Sequence, residues 1–200
     1  MGIIDLEKHY VLENPRVRLK PLMLLDVHNL SDIATKEQGL WKYTLHDISS
    51  KEKLLSYIEE AIVNRQRGIS YAFSVFDKKL QKYAGCTRIY EIDTLNKTCS
   101  IGYTWYGKNF QGTGLNKNCK YLLFEFAFEE LLMERIQFRV DKENSRSINA
   151  IKSLGCQEEG ILRSNLYKSN GERRDSMILS MLKSEWTMTA KTRLEEKLYS

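Results

Sequence analysis

A strand–turn–helix junction in the middle of the chain is the feature that most restricts its fold. Residues 100–106 form an apolar, aromatic run typical of a strand, and residues 115–132 follow at once as a long helical pattern. The turn between them carries Gly112 and Gly114. A helix that begins directly after a strand leaves its first backbone N–H groups unpaired. Those groups and the positive end of the helix dipole form an anion site. The junction therefore predicts a cradle for a phosphate or pyrophosphate group.

The spacing of the turn residues separates this loop from two other phosphate loops. A P-loop needs G-x-x-x-x-G-K-[ST], which the sequence lacks, and a dinucleotide fingerprint needs glycine where Lys117 stands. The loop instead resembles Q/R-x-x-G-x-G/A, the pyrophosphate loop of the GCN5-related N-acetyltransferases (the GNAT superfamily). Gln111 and Gly114 fit this pattern, whereas Asn116 replaces the usual small residue.

A second motif lies downstream, after a strand predicted over residues 135–140. An amphipathic helix follows that strand, with Asn144 as its predicted N-cap and Gly155 just beyond its end. The stretch resembles N-x-x-S-x-x-A-x-x-x-x-G-F-x-x-E-G-x-L-R of the RimJ/RimL type of acetyltransferase, a group that includes ribosomal-protein N-terminal acetyltransferases. Cys156 replaces the usual Phe. The matching positions are Asn144, Ser147, Ala150, Gly155, Glu159, Gly160, Leu162 and Arg163. Two linked motifs are more specific than either alone, and the resemblance is strongest over residues 101–182.

The predicted order of elements agrees with this resemblance. Periodicity and turn signals give β-α-α-β-β-β-α-β-α-β-β, the order of the acetyltransferase (GNAT) fold, which is an α/β (α+β) mixed sheet flanked by helices. A Ser49–Glu52 capping box begins the second helix. We expect a single acetyltransferase domain over residues 1–200, with residues 184–200 as a C-terminal helical extension. Few apolar positions occur in that extension, which favours a solvated appendage over a dimer contact or a substrate lid.

The composition narrows the class of protein. A formal net charge of +5 suits an anionic cofactor but is too diffuse for a nucleic-acid-binding protein. No apolar run or N-terminal leader indicates a membrane or secreted protein. The four cysteines lack C-x-x-C spacing and the three histidines are scattered, so we expect buried thiols and no metal. The expectation is a cytoplasmic protein without a membrane or nucleic-acid partner, and homodimers are common in the family.

The resemblance implies acetyl transfer from acetyl-CoA to a primary amine. Backbone amides of Gln111, Gly112, Thr113, Gly114, Leu115 and Asn116 would hold the pyrophosphate. Thr104, Trp105 and Tyr106 lie on the strand whose backbone N–H groups polarise the thioester in this family. Asn144 would contact the pantetheine arm, and a role as helix cap is compatible with that. Lys117 and Lys120 either reach the phosphates or are solvated helix lysines.

The catalytic residues are less well defined by the sequence. Where many acetyltransferases carry a tyrosine near the leaving sulfur, this chain has Ile151. Ser147 is the candidate proton donor, and its alternative is a helix serine bonded to its own backbone. Glu91 is the candidate base, with Glu158 and Glu159 as alternatives. Because positioning of the two substrates supplies much of the rate, a strong base is optional.

The acceptor remains open between a protein N-terminus and a small-molecule amine. Trp41, Tyr43 and Tyr57 either shape an acceptor pocket or belong to the core. A different class of function is also open, because the missing tyrosine is compatible with a non-catalytic acyl-CoA-binding sensor or accessory protein.

Overall fold

Eight strands form one mixed sheet in the computed structural model, which describes residues 5–199. The strand order is β1-β2-β3-β4-β5-β6-β8-β7. All neighbouring strands are antiparallel except β5 and β6, which are parallel. The strands are β1 (Leu12–Glu13), β2 (Val17–Pro21), β3 (Ser70–Asp77), β4 (Lys82–Asp93), β5 (Thr98–Tyr106), β6 (Arg135–Asp141), β7 (Gln157–Tyr167) and β8 (Arg173–Leu182).

Six α-helical segments accompany the sheet within the same residues. Short 3₁₀ turns cover Gln38–Tyr43 and Lys108–Phe110, and π turns cover Phe126–Glu130 and Trp186–Ala190. The α-helices are α1 (Asp26–Lys36), α2 (Lys51–Gln66), α3 (Leu115–Glu125), α4 (Ser145–Lys152), α5 (Lys183–Glu185) and α6 (Lys191–Tyr199). No helix in this part of the chain is long and apolar enough to cross a membrane.

The predicted fold class is confirmed, with two local corrections. The sequence did not predict β1, because a strand of two residues is too short to show alternation. The predicted Ser49–Glu52 capping box does not form, because the helix begins one residue later and Lys53 stands at its N3 position. Ser50 is the N-cap of α2, and its hydroxyl accepts a hydrogen bond from the Lys53 amide at 3.2 Å.

Two hydrophobic clusters cover the opposite faces of the sheet. Adjacent residues of a strand point to opposite faces. On β5, Trp105 accordingly belongs to the cluster that contains α1 and α2, whereas Tyr106 belongs to the cluster that contains α3. All four cysteines are buried and free, as the sequence predicted.

The C-terminal segment packs against the α3 side of the sheet. Trp186 is fully buried, its ring stacks on Phe128 with centroids 6.0 Å apart, and its indole N–H donates to Glu129 at 3.0 Å. Ala190 and Leu194 follow at helical spacing and are also buried. The prediction of a solvated appendage is therefore wrong. Few apolar residues occur in this segment and Met188 is exposed, but Trp186, Ala190 and Leu194 share one buried face.

The candidate site lies where β5 and β6 separate from each other. The two strands pair only at residues 98–100 and 135–137, and the remainder of β5 diverges from β6. In the same stretch β5 bulges, because Cys86 pairs with Trp105 while Arg88 pairs with Gly102. Tyr103, inside the bulge, has a φ of 50°. The backbone of β5 beyond Ser100 is thus free of a partner on its β6 side.

Candidate active site

The turn between β5 and α3 is open at both of its glycines. Gly112 and Gly114 have φ values of 73° and 83°, a left-handed conformation that favours glycine. Apart from their chain neighbours, no described residue lies within 4 Å of the position that a Cβ atom would occupy at either glycine. The backbone is therefore accessible to a ligand from outside the fold.

Unpaired backbone amides cluster at this turn. The N–H groups of residues 112–117 make no hydrogen bond to any other described residue, and α3 has no side-chain cap. The helix dipole adds positive potential at the same point. These free donors at a helix N-terminus suit an anion such as a pyrophosphate.

Gln111, in the turn between β5 and α3, links β5 to α4 through its side chain. Its Nε2 donates to the Tyr106 carbonyl at 2.8 Å, and its Oε1 accepts from Arg146 at 2.5 Å. Arg146 thereby places a guanidinium beside the free amides. The sequence analysis missed this residue, although it lies within the downstream motif between Asn144 and Ser147.

The N-terminus of α4 forms the other wall of the separation. Asn144 is the N-cap, as predicted, and its Oδ1 accepts from the Ser147 amide at 3.1 Å. Its Nδ2 makes no hydrogen bond to another described residue, which leaves that donor for a ligand. The Ser147 hydroxyl is half-buried and is not bonded to the backbone of residues 5–199, unlike the alternative considered for it.

The side chains at the end of β5 are packed into the two cores. Trp105 is 5% exposed and lies edge-on to Trp41, with ring centroids 5.4 Å apart. Tyr106 is also buried. At these two positions only the backbone is available to a substrate. Thr104 differs, because it is half-buried and its hydroxyl lies 2.9 Å from that of Thr87.

The two lysines of α3 have different environments. Lys117 is half-buried and forms no ion pair with another described residue. Lys120 is 3% exposed, and its Nζ donates to Thr87 at 3.1 Å and to Thr104 at 2.8 Å. The alternative that Lys120 is a solvated helix lysine is therefore wrong, and its bonds to two threonines argue against a contact with the phosphates. Its side chain turns inward, beneath the bulge of β5.

Glu91 lies at an open cavity on the sheet face opposite α3. The cavity has a volume of about 600 Å³ and is lined by Ser100, Gln137 and other residues from the ends of β4, β5 and β6. The Glu91 carboxylate forms an ion pair with Arg139 at 2.9 Å and accepts from the Ser100 hydroxyl at 3.0 Å. Glu91 therefore lines a cavity with a cation as its neighbour, and its role as the base stays a prediction.

The two alternative bases are held in ion pairs. Glu159 accepts two hydrogen bonds of 2.5 Å from Arg135 and one of 2.7 Å from Ser180. The hydrogen bond from Arg135 is the main reason that the pKa of Glu159 falls to about 2. A carboxylate with this pKa is a weak base at neutral pH. Glu158 pairs with Lys152 at 2.9 Å.

The aromatic residues of the early helices belong mainly to the core. Trp41 and Tyr57 are each 5% exposed, and Tyr43 is half-buried. Arg88, which the sequence analysis did not single out, is 1% exposed and lies between the rings of Tyr57 and Tyr103, at 4.9 and 4.2 Å. Within residues 5–199, no three His, Cys, Asp or Glu side chains group as metal ligands would.

Comparisons with known proteins point to one family. A family model described as "Acetyltransferase (GNAT) domain" matches residues 16–157. "Uncharacterized N-acetyltransferase p20" of Bacillus licheniformis is 30% identical over 152 residues, covering 76% of this chain and 82% of that protein. "Putative ribosomal N-acetyltransferase YdaF" of Bacillus subtilis is 29% identical over 182 residues, covering 86% and 94%. The structure of the microcin C7 self-immunity acetyltransferase MccE with acetyl-CoA and AMP superposes with a TM-score of 0.77 at 24% identity, covering 84% of this chain and 93% of that one.

Proposed function

This chain belongs to the GNAT family of acetyl-CoA-dependent N-acetyltransferases, and we propose that it acetylates a primary amine by direct attack in a ternary complex. The acceptor is a protein N-terminus or a small-molecule amine. The family fixes the reaction class. The residues that hold each substrate are proposed from the geometry of this chain.

One observation carries the proposal for the acetyl-CoA site. The unpaired amides of residues 112–117 lie directly beside the separation between β5 and β6. The pyrophosphate binds at these amides, with Arg146 adding a positive charge. The pantetheine arm then extends along the unpaired edge of β5. The Asn144 side-chain amide, on the opposite wall, is the donor for that arm.

The bulge of β5 is the proposed place of reaction. The neutral amine attacks the thioester carbon, so a C–N bond forms and the C–S bond breaks. Backbone N–H groups near Thr104 and Trp105 donate to the carbonyl oxygen as it becomes negative. Ser147 is the proposed donor of a proton to the sulfur and regains one from solvent, and the proton lost by the amine passes to Glu91 or to solvent.

The acceptor approaches from the sheet face opposite α3. The cavity that contains Glu91 lies on that face, and Asp93, Arg135 and Arg139 also line it. Both carboxylates and guanidiniums are therefore present. This mixture suits an acceptor that carries polar groups besides its amine, as an N-terminal peptide does. The ribosomal acceptor in the name of the B. subtilis relative is consistent with this class.

A non-catalytic acyl-CoA sensor is the alternative function. It is favoured by Ile151, which replaces a proton-donating tyrosine, and by the ion pair that holds Glu91. The sensor would bind acetyl-CoA at the same amides without transferring the acetyl group.

A thiol-release assay separates these functions. The native protein is incubated with acetyl-CoA and, in turn, with N-terminal peptides, polyamines, amino sugars and aminoglycosides. Acceptor-dependent release of CoA, with an acetylated amine found by mass spectrometry, is the expected result. Acetyl-CoA binding without release for any amine would favour the sensor.

A further inference from the structure

Lys120 is a buried cation that takes no part in the reaction steps proposed above. It lies in the second turn of α3 and is 3% exposed. Among residues 5–199 it forms no ion pair, and its hydrogen-bond partners are the two uncharged hydroxyls of Thr87 and Thr104. A buried ammonium without a carboxylate loses hydration that two hydroxyls only partly replace.

The titratable groups near Lys120 do not neutralise its charge. Cys119 and Cys156 both interact with it electrostatically. Burial raises the pKa of Cys119 to about 11 and that of Cys156 to about 12, so both thiols are uncharged near neutral pH. At longer range, Cys119 interacts electrostatically with Asp77 and Arg16, which form an ion pair with each other. Cys156 interacts in the same way with Glu185. Burial lowers the pKa of Lys120 itself to about 8, so the cationic form still predominates near pH 7.

Lys120 lies close to the proposed place of reaction. Thr104 belongs to the bulge of β5, where β5 has already diverged from β6. Cys156 follows α4, which forms the opposite wall of the separation. Lys120 therefore lies beneath the separation, between the strand that polarises the thioester and the end of the helix that carries Ser147.

The hydrogen bonds of Lys120 polarise the two threonine hydroxyls that lie between it and the substrate site. An ammonium donates and never accepts, so the oxygens of Thr87 and Thr104 are both acceptors toward Lys120. The Thr104 hydroxyl, which lies 2.9 Å from that of Thr87, donates to the Gly102 carbonyl over a long 3.3 Å. A bound sulfur would take the Thr104 proton in place of that carbonyl, and a hydroxyl that accepts from a cation is a stronger donor. Thr104 is half-buried and thus within reach of a bound substrate.

We propose that Lys120 is a positioning residue that stabilises the thiolate of CoA, acting through the hydroxyl of Thr104. The inference rests on the proposed function, because it places the sulfur beside the bulge of β5. Lys120 keeps its proton throughout and transfers none. Its positive charge, in a water-poor site, lowers the free energy of the anionic sulfur as the C–S bond breaks.

A structural role alone would not require a lysine here. Replacing a buried charge by an apolar side chain of similar volume is often neutral or stabilising. Lys120→Met keeps the length of the side chain, and the hydroxyls of Thr87 and Thr104 can still pair with each other at 2.9 Å. We therefore expect Lys120→Met to be at least as stable as the native protein and to turn over at least about 10-fold more slowly, at little changed KM for acetyl-CoA.

The direct test is the acidity of bound CoA. CoA is added in the absence of any acceptor, its binding is confirmed by calorimetry, and the ultraviolet absorbance of the thiolate is followed against pH. In the native protein the bound thiol should titrate at lower pH than free CoA. In Lys120→Met and Lys120→Gln its pKa should rise by about 1 or more, since a nearby opposite charge has an effect of that size.

The matched control is Lys152→Met, which removes the same charge from an exposed lysine of α4. This variant should leave the bound thiol unchanged. If Lys120→Met does not fold, Thr104→Val tests the same link, because it retains the lysine and removes the hydroxyl. It should also raise the pKa of the bound thiol.

The outcomes separate this inference from the proposed function. If CoA binds and its thiol has the same pKa in the native protein, Lys120→Gln and Thr104→Val, the proposed role of Lys120 is overturned. The proposed function is not affected by that result. CoA that fails to bind the native protein would overturn the proposed function, and the role of Lys120 with it.

Discussion

Replacement of Gly114 by glutamate tests the anion site at the start of α3. Gly114 is the N-cap residue of the helix, in a left-handed conformation with φ at 83°. Among residues 5–199, no atom beyond the neighbouring backbone lies within 4 Å of the position for an added Cβ, so the glutamate side chain has space. Its carboxylate would occupy the region where the free amides of residues 112–117 point. We expect the variant to fold and to lose affinity for acetyl-CoA.

Two terms set the size of these effects. A non-glycine residue in the left-handed region costs about 1–2 kcal/mol, which the free energy of unfolding should show. Two unit charges about 4 Å apart repel by about 4 kcal/mol at an effective dielectric constant of about 20. If solvent screening halves this repulsion, about 2 kcal/mol remains, which corresponds to an affinity about 30-fold weaker.

Gly171 provides the matched control for this experiment. It has a φ of 85° and an equally open Cβ position, but it lies in the turn between β7 and β8. Gly171→Glu should therefore carry a similar backbone penalty in urea unfolding. Calorimetry with acetyl-CoA should show near-native affinity for Gly171→Glu and a large loss for Gly114→Glu. Equal affinities in the two variants would refute the assignment of the anion site.

Three further predictions concern catalysis, packing and acid stability. Ser147→Ala should lower kcat several-fold with little change in KM for acetyl-CoA, and steady-state rates that match the native protein would exclude Ser147 as the proton donor. Trp186→Ala should lower the free energy of unfolding by about 3–5 kcal/mol in urea denaturation, because Trp186 is fully buried; a loss below about 1 kcal/mol would contradict that packing. The ion pair of Glu159 with Arg135 should stabilise the fold above pH 4.5 and lose this effect as pH falls toward 2, since folding lowers the pKa of Glu159 from 4.5 to about 2. The free energy of unfolding, measured against pH, should then be lower for Arg135→Gln than for the native protein at neutral pH and equal to it near pH 2. A difference that persists at pH 2 would contradict the predicted pH dependence.

The order of elements was predictable because local patterns determine it. Apolar, aromatic runs identify strands such as β5, and the N-cap and the glycine turn mark α4 and α3. The C-terminal segment was misjudged for a related reason. A count of apolar positions gives Trp186 the same weight as a smaller residue, although a single buried indole anchors the segment in the core.

The less predictable part of the site depends on contacts between distant segments. The sequence locates Gln111 and Asn144, because each belongs to a recognisable turn or cap. It cannot show that Lys120 points inward to Thr87, or that Arg146 reaches Gln111, since these pairs are far apart in the chain. It also cannot show that Arg135 holds Glu159, which removes that glutamate as a base.

A crystal structure with CoA is the measurement that tests the central claim most directly. The account predicts pyrophosphate oxygens within about 3 Å of the amide nitrogens of residues 112–117. It also predicts the pantetheine arm between β5 and β6, with the sulfur beside Thr104. CoA bound elsewhere, or with its phosphates away from the start of α3, would contradict the account.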